Sequence, residues 1–404
     1  MKNTNKDNSA EQPNNLDRRD FIVGTVTTVA ITAGALGCDA PVEEPLKDVP
    51  KVEAPPKEVP KAEAPQKEAP KADPPPKEVP KPKNTGHGRI VMVTHPGATT
   101  DVKKTHKDVV KLMVERALTE FTGDADGVTA LSKFFKKEDV VGIKVNCLGA
   151  PYATVHPSTA FALADTLNAI GIPKKNIYIY DQYGSRMRKA GFKLSLPKGT
   201  PEGQYPVHYH DTLGYASKPV NTGGFFKNGK IGSSRMPRIL DRLTAVLNVC
   251  CVKDHDLTGI TGALKNVSYG NVERVPVYHC TPDCNPTCKH DGLCNVSRIY
   301  KHDKMGGLVR LVVCDALRVL YQGGPQDNMT YKKAHNAIMV STDPVAIDSA
   351  CLEIVNGYRK ERNLKPIEND RGGRRAPRFL EAANKLGLGE HDLSKVKWDK
   401  ITMG

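Results

Sequence analysis

The chain has 404 residues, of which 39% are hydrophobic, and its 59 lysine and arginine residues outnumber 45 aspartate and glutamate residues. This composition excludes a fully disordered chain, a small disulfide scaffold and a multi-span membrane protein. Of the formal net charge of +14, residues 1–39 carry −1 and residues 40–83 carry zero, so the remaining residues carry +15. Such a basic region suits an anionic partner: nucleic acid, an anionic surface, or a small molecule bearing phosphate or carboxylate.

Residues 1–38 resemble an export signal. Arg18 and Arg19 lie in the sequence DRRDFI, which has the pattern of the twin-arginine export motif. The apolar run at 21–37 is diluted by threonine and glycine and is short for a transmembrane span, which needs about 20 apolar residues. The run ends ALGC, which is similar to a lipobox whose cysteine, Cys38, is lipidated; an ordinary cleaved signal with an incidental cysteine is the alternative.

This signal predicts where the protein resides and what it meets there. We expect the twin-arginine export machinery to carry it to the periplasm or cell envelope, where lipid at Cys38 anchors it to the membrane. Export argues against nucleic acid as a partner and leaves an anionic small molecule or an envelope polymer.

Residues 39–85 predict a disordered, proline-rich linker. Three ten-residue repeats, KVEAPPKEVP, KAEAPQKEAP and KADPPPKEVP, run from 51 to 80. Proline every few residues blocks helix and sheet and favours the extended polyproline II conformation. The repeats therefore predict a tether between the membrane and a domain at 86–404, and a proline-rich ligand for a partner domain is the alternative.

The region 86–404 alternates strand-like and helix-like segments. In chain order, the patterns predict a strand at 89–95, a helix at 109–121, a strand at 139–146, a helix at 157–170, and strands at 176–181, 245–252, 308–314 and 337–340. This alternation predicts an α/β fold with a largely parallel sheet and helices on both faces. Ligands of such folds bind beyond the carboxyl ends of the strands, so the polar residues that close each strand are the candidate site.

Basic and amide side chains follow these strands in three motifs. They are Lys144 with Asn146, Lys253 with His255, and Lys265 with Asn266. Ammonium and amide groups supply charge and directed donors for phosphate or carboxylate, and a lysine beside other cations in a cleft is a candidate base or Schiff-base nucleophile. We expect Lys144, Asn146 and Asn266 to bind the ligand and Lys253, His255 and Lys265 to act on it. Lysines that only cap carbonyl groups and reach solvent are the alternative.

Four aspartates also lie at or near predicted strand ends: Asp181, Asp315, Asp343 and Asp348. Asp343 precedes a proline, as a helix N-cap does. Asp348 lies about 140° further around that helix, so the two need not converge. Asp181, as a ligand-binding residue, and Asp315, as a catalytic residue, are the better candidates for a divalent cation site or a general base.

A cysteine-rich segment at 279–294 is the other concentration of reactive side chains. Its cysteines are Cys280, Cys284, Cys288 and Cys294, and two histidines accompany them. Thiolates and imidazoles at this density suit zinc or an iron–sulfur cluster, but the spacing is not a regular zinc or ferredoxin pattern. Two disulfides and unpaired thiols are the alternatives. The cysteines of the apolar segments, such as Cys147 and Cys351, are predicted to be buried core residues.

Five motifs in order resemble the bacterial and archaeal family known as domain of unknown function 362. They are GIKVN at 142–146, KDH at 253–255, TGALKN at 261–266, DAL at 315–317 with GGP at 323–325, and TDPVAID at 342–348. The resemblance covers roughly residues 88–404. It implies a fold and a strand-end site but no reaction, and the insertion at 279–294 departs from the family pattern.

Two classes of function follow from these predictions. The first is an enzyme that binds an anionic small molecule in the cleft lined by lysine, histidine and asparagine. The second is a non-catalytic envelope binding protein or scaffold with a disulfide-stapled loop. Electron transfer through an iron–sulfur centre at the cysteines is a third hypothesis.

Overall fold

A computed structural model describes residues 88–196, 199–226, 230–279 and 295–404. The predicted export signal with Arg18, Arg19 and Cys38 and the predicted linker at 39–85 lie outside the described residues. The same is true of Cys280, Cys284, Cys288 and Cys294.

A long mixed sheet forms the centre of the domain. The described strands are β1 (Arg89–Thr94), β2 (Thr99–Thr100), β3 (Lys104–Thr105), β4 (Val141–Lys144), β5 (Ile177–Asp181), β6 (Val207–Tyr209), β7 (Val220–Phe225), β8 (Ile231–Ser234), β9 (Ala245–His255), β10 (Gly259–Thr261), β11 (Val309–Leu320), β12 (Lys332–Ser341) and β13 (Lys397–Thr402). Eight of them form the sheet in the order β13-β1-β12-β11-β9-β4-β5-β6, and β10 pairs with the end of β9. The long strand β9 is buried throughout, as its nearly continuous apolar sequence predicts for a strand covered on both faces.

Helices cover both faces of this sheet. They are α1 (Lys107–Thr122), α2 (Gly127–Ser132), α3 (Pro157–Ala169), α4 (Gly184–Lys189), α5 (His210–Leu213), α6 (Ala263–Ser268), α7 (Val275–Tyr278), α8 (Asn295–Tyr300), α9 (Pro344–Glu361) and α10 (Phe379–Lys385). Helices α1, α2 and α3 share one apolar core with one face of the sheet, and α6, α8, α9 and α10 share a second core with the other face. No helix in the described part of the chain is long and apolar enough to cross a bilayer.

The predicted α/β architecture is confirmed, with two strands as exceptions to parallel pairing. Strand β12 runs antiparallel to both of its neighbours, β1 and β11, and the short strand β10 runs antiparallel to β9. The other neighbouring strands of the long sheet are parallel. The residues between β11 and β12, 321–331, are too few for the crossover of about a dozen or more residues that parallel strands need. The chain therefore turns back directly.

Helix α9 begins as its sequence predicts. The Asp343 carboxylate accepts hydrogen bonds from the backbone N–H groups of Val345 and Ala346 at 2.9 and 2.8 Å, and Pro344 occupies the first turn. The predicted N-cap role of Asp343 is confirmed.

Candidate functional site

The carboxyl ends of three neighbouring strands bring most of the predicted site residues together. Strand β4 lies between β5 and β9, so the polar residues at the ends of all three meet at one edge of the sheet. Helix α6 adds two more side chains. We call the resulting group the strand-end cluster: Lys144, Asn146, Asp181, Lys253, His255, Lys265 and Asn266. None of these residues is more than 8% exposed.

Lys144 and Asp181 form a buried ion pair within the cluster. The Lys144 Nζ lies 2.6 Å from Asp181 Oδ1 and also donates to the carbonyl oxygen of Val145 at 2.8 Å. The second Asp181 oxygen accepts from the backbone N–H of Cys147 at 2.7 Å. Burial alone would raise the pKa of Asp181, but the Lys144 charge and these hydrogen bonds outweigh it and hold that pKa below its usual range. The charge of Lys144 is therefore neutralised inside the protein.

Asn266 links the elements that build the cluster. Its amide nitrogen donates to the Lys144 carbonyl oxygen at 3.1 Å and to Asn248 Oδ1 at 2.8 Å. Its amide oxygen accepts from Lys144 Nζ at 3.2 Å and from Asn146 Nδ2 at 3.3 Å. One side chain of α6 thus fixes β4 and β9 relative to the helix, and its hydrogen-bonding groups are used within the protein.

Lys253 and Lys265 differ from Lys144 because neither has a carboxylate partner in the described part of the chain. The Lys253 Nζ donates to Asn146 Oδ1 at 2.5 Å and to the carbonyl oxygen of Ala153 at 3.2 Å. The Lys265 Nζ donates to Thr258 Oγ1 at 2.9 Å. Burial, together with the nearby charge of Lys253, lowers the pKa of Lys265 well below its usual range. This shift favours the neutral amine of Lys265 over its ammonium form.

His255 is a neutral imidazole beside these lysines. Its ring is 4% exposed and stacks on His279 with ring centres 5.2 Å apart. Burial, then the charge of Lys265, lowers the pKa of His255 well below its usual range. The backbone N–H of Leu257 donates to Nδ1 at 3.1 Å, so the proton of the neutral ring resides on Nε2.

Asp254 and Arg375 support the cluster from the opposite face of β9, and the sequence analysis missed both. Arg375 donates to Asp254 at 2.6 Å and to Asp370 at 2.7 Å, and the backbone N–H of Gly324 donates to the second Asp254 oxygen at 2.9 Å. Asp254 lies between two predicted site residues in the KDH motif, which is the one signal that could have found it. Arg375 lies 121 positions away in sequence and has no such signal.

The hydrogen bonds of Asp315 go to residues outside the strand-end cluster. Its carboxylate accepts hydrogen bonds from the His156 N–H and the Thr159 hydroxyl, both at 2.8 Å, and from the Leu317 N–H at 3.2 Å. Among the described residues, no hydrogen bond or ion pair joins it to the cluster. Asp315 therefore holds the beginning of α3, and its catalytic role stays a prediction.

Asp348 fixes the helix that carries Lys265 and Asn266. Its two oxygens accept hydrogen bonds from the backbone N–H groups of Ala263 and Leu264, the latter at 3.1 Å. Asp343 and Asp348 thus serve the beginnings of two different helices and do not converge on one site. Burial raises the pKa of Asp348 to about 7 although these backbone donors oppose the shift.

This raised pKa predicts how Asp348 contributes to stability at different pH. Its folded pKa of about 7 exceeds the ordinary value of 3.8, so its contribution is fully present below about pH 4 and is lost as the pH rises through 7. Between about pH 4 and pH 7, the free energy of unfolding of the wild type should fall by on the order of a few kcal/mol more than that of Asp348→Asn. Urea unfolding at several pH values measures this, with the exposed Asp211→Asn as control. Parallel curves for the wild type and Asp348→Asn would contradict the assignment.

No group of three or more histidine, cysteine, aspartate or glutamate side chains among the described residues is arranged to hold a metal ion. The Asp181 carboxylate is occupied by Lys144, and the four clustered cysteines lie outside the described residues. The five described cysteines are buried free thiols, as predicted for the apolar segments: Cys147, Cys250, Cys251, Cys314 and Cys351.

The residues of the strand-end cluster are buried. Two surface cavities of the described part of the chain, of about 560 and 760 Å³, are lined by none of these residues.

The fold and the cluster together define an α/β domain with a buried, basic site at the ends of its strands. The sequence profile of the family called Domain of unknown function (DUF362) matches residues 141–353, more than half of the chain, and the chain belongs to this family. The matched range contains every residue of the strand-end cluster.

Two further comparisons add little to this. No curated protein matches the sequence. Among solved structures, the chain is similar to the lactate racemase apoprotein from Thermoanaerobacterium thermosaccharolyticum, with 13% identity, a TM-score of 0.36 and coverage of 66% of this chain. The chain covers 57% of that protein's length.

Proposed function

We propose that the domain binds an anionic small molecule, bearing phosphate or carboxylate, at the strand-end cluster. One observation carries this proposal: Lys253 and Lys265 are buried without a carboxylate partner among the described residues, whereas Lys144 in the same cluster is paired with Asp181. A buried, unpaired ammonium group costs several kcal/mol. An anion in contact with both lysines would offset that cost and would raise the pKa of Lys265 on binding.

Two further features support an anionic ligand. The Nε2–H of neutral His255 adds a directed hydrogen-bond donor beside Lys253 and Lys265. The net charge of +15 on the residues after the linker attracts anions to the domain over longer distances.

The test measures anion binding to the full chain by calorimetry, with inorganic phosphate and succinate as probes. Lys253→Gln should weaken binding about 10- to 100-fold, because it removes a charge-assisted contact. The exposed Lys301→Gln is the matched control and should bind as the wild type does. Equal affinities of the two variants, or no binding by the wild type, would overturn the proposal.

We propose that the site is catalytic and does not only capture its ligand. An enzyme needs groups that exchange protons, and a buried lysine with a lowered pKa next to a neutral imidazole supports such a role. Lys265→Met removes the amine that should contact the ligand. If this variant binds phosphate more tightly than the wild type, Lys265 does not contact the ligand and the proposed role of Lys265 is wrong.

We also propose that the protein is exported by the twin-arginine machinery and anchored in the cell envelope through lipid on Cys38. The sequence DRRDFI, the cysteine after ALG and the proline-rich repeats support this. Replacing Arg18 and Arg19 together by lysine should retain the protein in the cytoplasm. Cys38→Ala should release it from the membrane fraction and abolish incorporation of labelled palmitate; palmitate labelling that persists in Cys38→Ala would contradict the anchor.

We propose three alternatives for the four clustered cysteines: a zinc or iron–sulfur site, two disulfides, or unpaired thiols. The five described thiols are buried and should resist a thiol reagent in the native state. After denaturation without reductant, and apart from Cys38, five thiols should react if the four clustered cysteines are oxidised and nine if they are reduced. Metal analysis of the same sample separates metal ligands from unpaired thiols. Any other thiol count would contradict all three alternatives.

A further inference from the structure

Lys265 makes fewer hydrogen bonds than the other two lysines of the strand-end cluster. Within the described residues, Lys144 Nζ makes three hydrogen bonds and Lys253 Nζ makes two, whereas Lys265 Nζ makes one, to Thr258 Oγ1. Its other near neighbour is the face of the Tyr269 ring, 5.5 Å from Nζ to the ring centre. Among the described residues, the nitrogen is therefore positioned by a single hydrogen bond, so more of its hydrogen-bonding capacity is unused than in Lys144 or Lys253.

The backbone holds this amine close to Lys253. Strands β9 and β10 form a hairpin in which Lys253 pairs with Thr261, and Thr258 lies in the turn. Helix α6 follows β10 at once, and the Asp348 carboxylate fixes its first residues. Lys265 thus extends back over the hairpin that carries Lys253, and the charge of Lys253 is one cause of the lowered pKa of Lys265.

From this geometry we propose that Lys265 forms an imine with the carbonyl carbon of a small 2-oxo acid whose carboxylate contacts Lys253. The inference rests on the proposed anion site and names its substrate class. In a 2-oxo acid the carboxylate and the carbonyl lie on adjacent carbons, so one small molecule presents an anion and an electrophile to two neighbouring lysines. The small size of such a 2-oxo acid suits the buried strand-end cluster.

The chemistry of the step is balanced by groups already present. The lone pair of the neutral Lys265 amine forms a bond to the carbonyl carbon, and a proton moves from nitrogen to the former carbonyl oxygen. The hydroxyl group then leaves as water with one further proton, which the Lys253 ammonium group can donate. The product is an iminium ion, and no oxidant or reductant takes part.

The test traps this iminium ion on the full-length wild-type protein. Glyoxylate serves as the 2-oxo acid probe, and cyanoborohydride reduces the iminium ion to a stable secondary amine. Peptide mass mapping should find one adduct per chain, on Lys265, formed about tenfold or more faster than on the exposed Lys301, because each unit of lowered pKa gives about ten times more neutral amine. Inorganic phosphate should protect Lys265.

The variants and the competing anion separate the two proposals. Lys265→Met should lose the mapped adduct, and Lys301→Gln should keep it. If Lys265→Met does not fold, the site mapping on the wild type decides alone. Phosphate binding without an adduct on Lys265, or adducts spread equally over exposed lysines, overturns the imine and leaves the anion site standing. Binding of neither phosphate nor glyoxylate overturns both.

Discussion

The Asp181→Asn variant is expected to lose about 3–5 kcal/mol of unfolding free energy, because it leaves the Lys144 ammonium group buried without its counter-charge. The two groups lie 2.6 Å apart, and their side chains are 1% and 9% exposed. Asparagine would keep the shape of the side chain and lose the charge. Denaturant unfolding with a linear extrapolation measures the loss.

An exposed ion pair of the same protein provides the control for this variant. Lys304 and Asp241 form a pair whose side chains are 49% and 46% exposed, so Asp241→Asn should cost at most about 1 kcal/mol. Replacing both members of the buried pair by apolar residues, in Lys144→Met with Asp181→Leu, should recover part of the loss, because no buried charge remains. Equal losses in Asp181→Asn and Asp241→Asn would contradict the account of the buried pair.

Gly324→Ala should destabilise the domain by about 3 kcal/mol or more and abolish phosphate binding, although it removes no charged group. A Cβ atom at this position would overlap the backbone carbonyl oxygen of Asp254. The Gly324 N–H donates to the Asp254 carboxylate at 2.9 Å, and its carbonyl oxygen accepts from the Asp256 N–H at 3.1 Å. The obstacle is backbone, so the end of β9 that carries Lys253 must shift.

A second glycine-to-alanine variant separates the effect of the close contact with Asp254 from any general effect of a glycine-to-alanine substitution. Gly357 lies in α9, and a Cβ there would meet no atom within 4 Å. Gly357→Ala should therefore stabilise the domain, by up to about 1 kcal/mol, because alanine favours the helix, and should leave phosphate binding unchanged. Full phosphate affinity in Gly324→Ala would show that the close approach at Asp254 does not position the site.

The sequence was sufficient to predict the sheet and most of the strand-end cluster. A nearly continuous apolar run marks a strand buried on both faces, and the first polar residues after it must emerge at the edge where parallel strands end together. This reasoning placed Lys144 and Lys253 at one site and assigned Asp181 to a separate acidic set. The structure brings all three there, with Asn266 joining them from α6.

Asp315 shows where the predicted strand boundary was wrong. The pattern predicted a strand ending at Cys314, which would place Asp315 at its carboxyl end. Strand β11 instead continues to Leu320, with an irregularity in its pairing to β9 between Asp315 and Val319. The Asp315 carboxylate accepts hydrogen bonds from His156 and Thr159 at the beginning of α3. A bulge of this kind depends on long-range packing and leaves no periodic signal in the sequence.

The side-chain pairs that hold the site in place could not be predicted from the sequence either. Asp254 and Arg375 are 121 positions apart, and nothing in their neighbourhoods marks them as partners. Asp348 lies on a different helix from the backbone groups that it caps. Contacts of this kind are fixed only by the folded arrangement of the helices over the sheet.

The most direct measurement of the central claim is the structure of the full protein crystallised with selenate, an analogue of small oxyanions, at the selenium absorption edge. We predict an anomalous peak within hydrogen-bonding distance of both Lys253 Nζ and Lys265 Nζ, and its loss in Lys253→Gln. A map with selenium only at surface lysines, and none between these two buried amines, would contradict the claim that the strand-end cluster is an anion site.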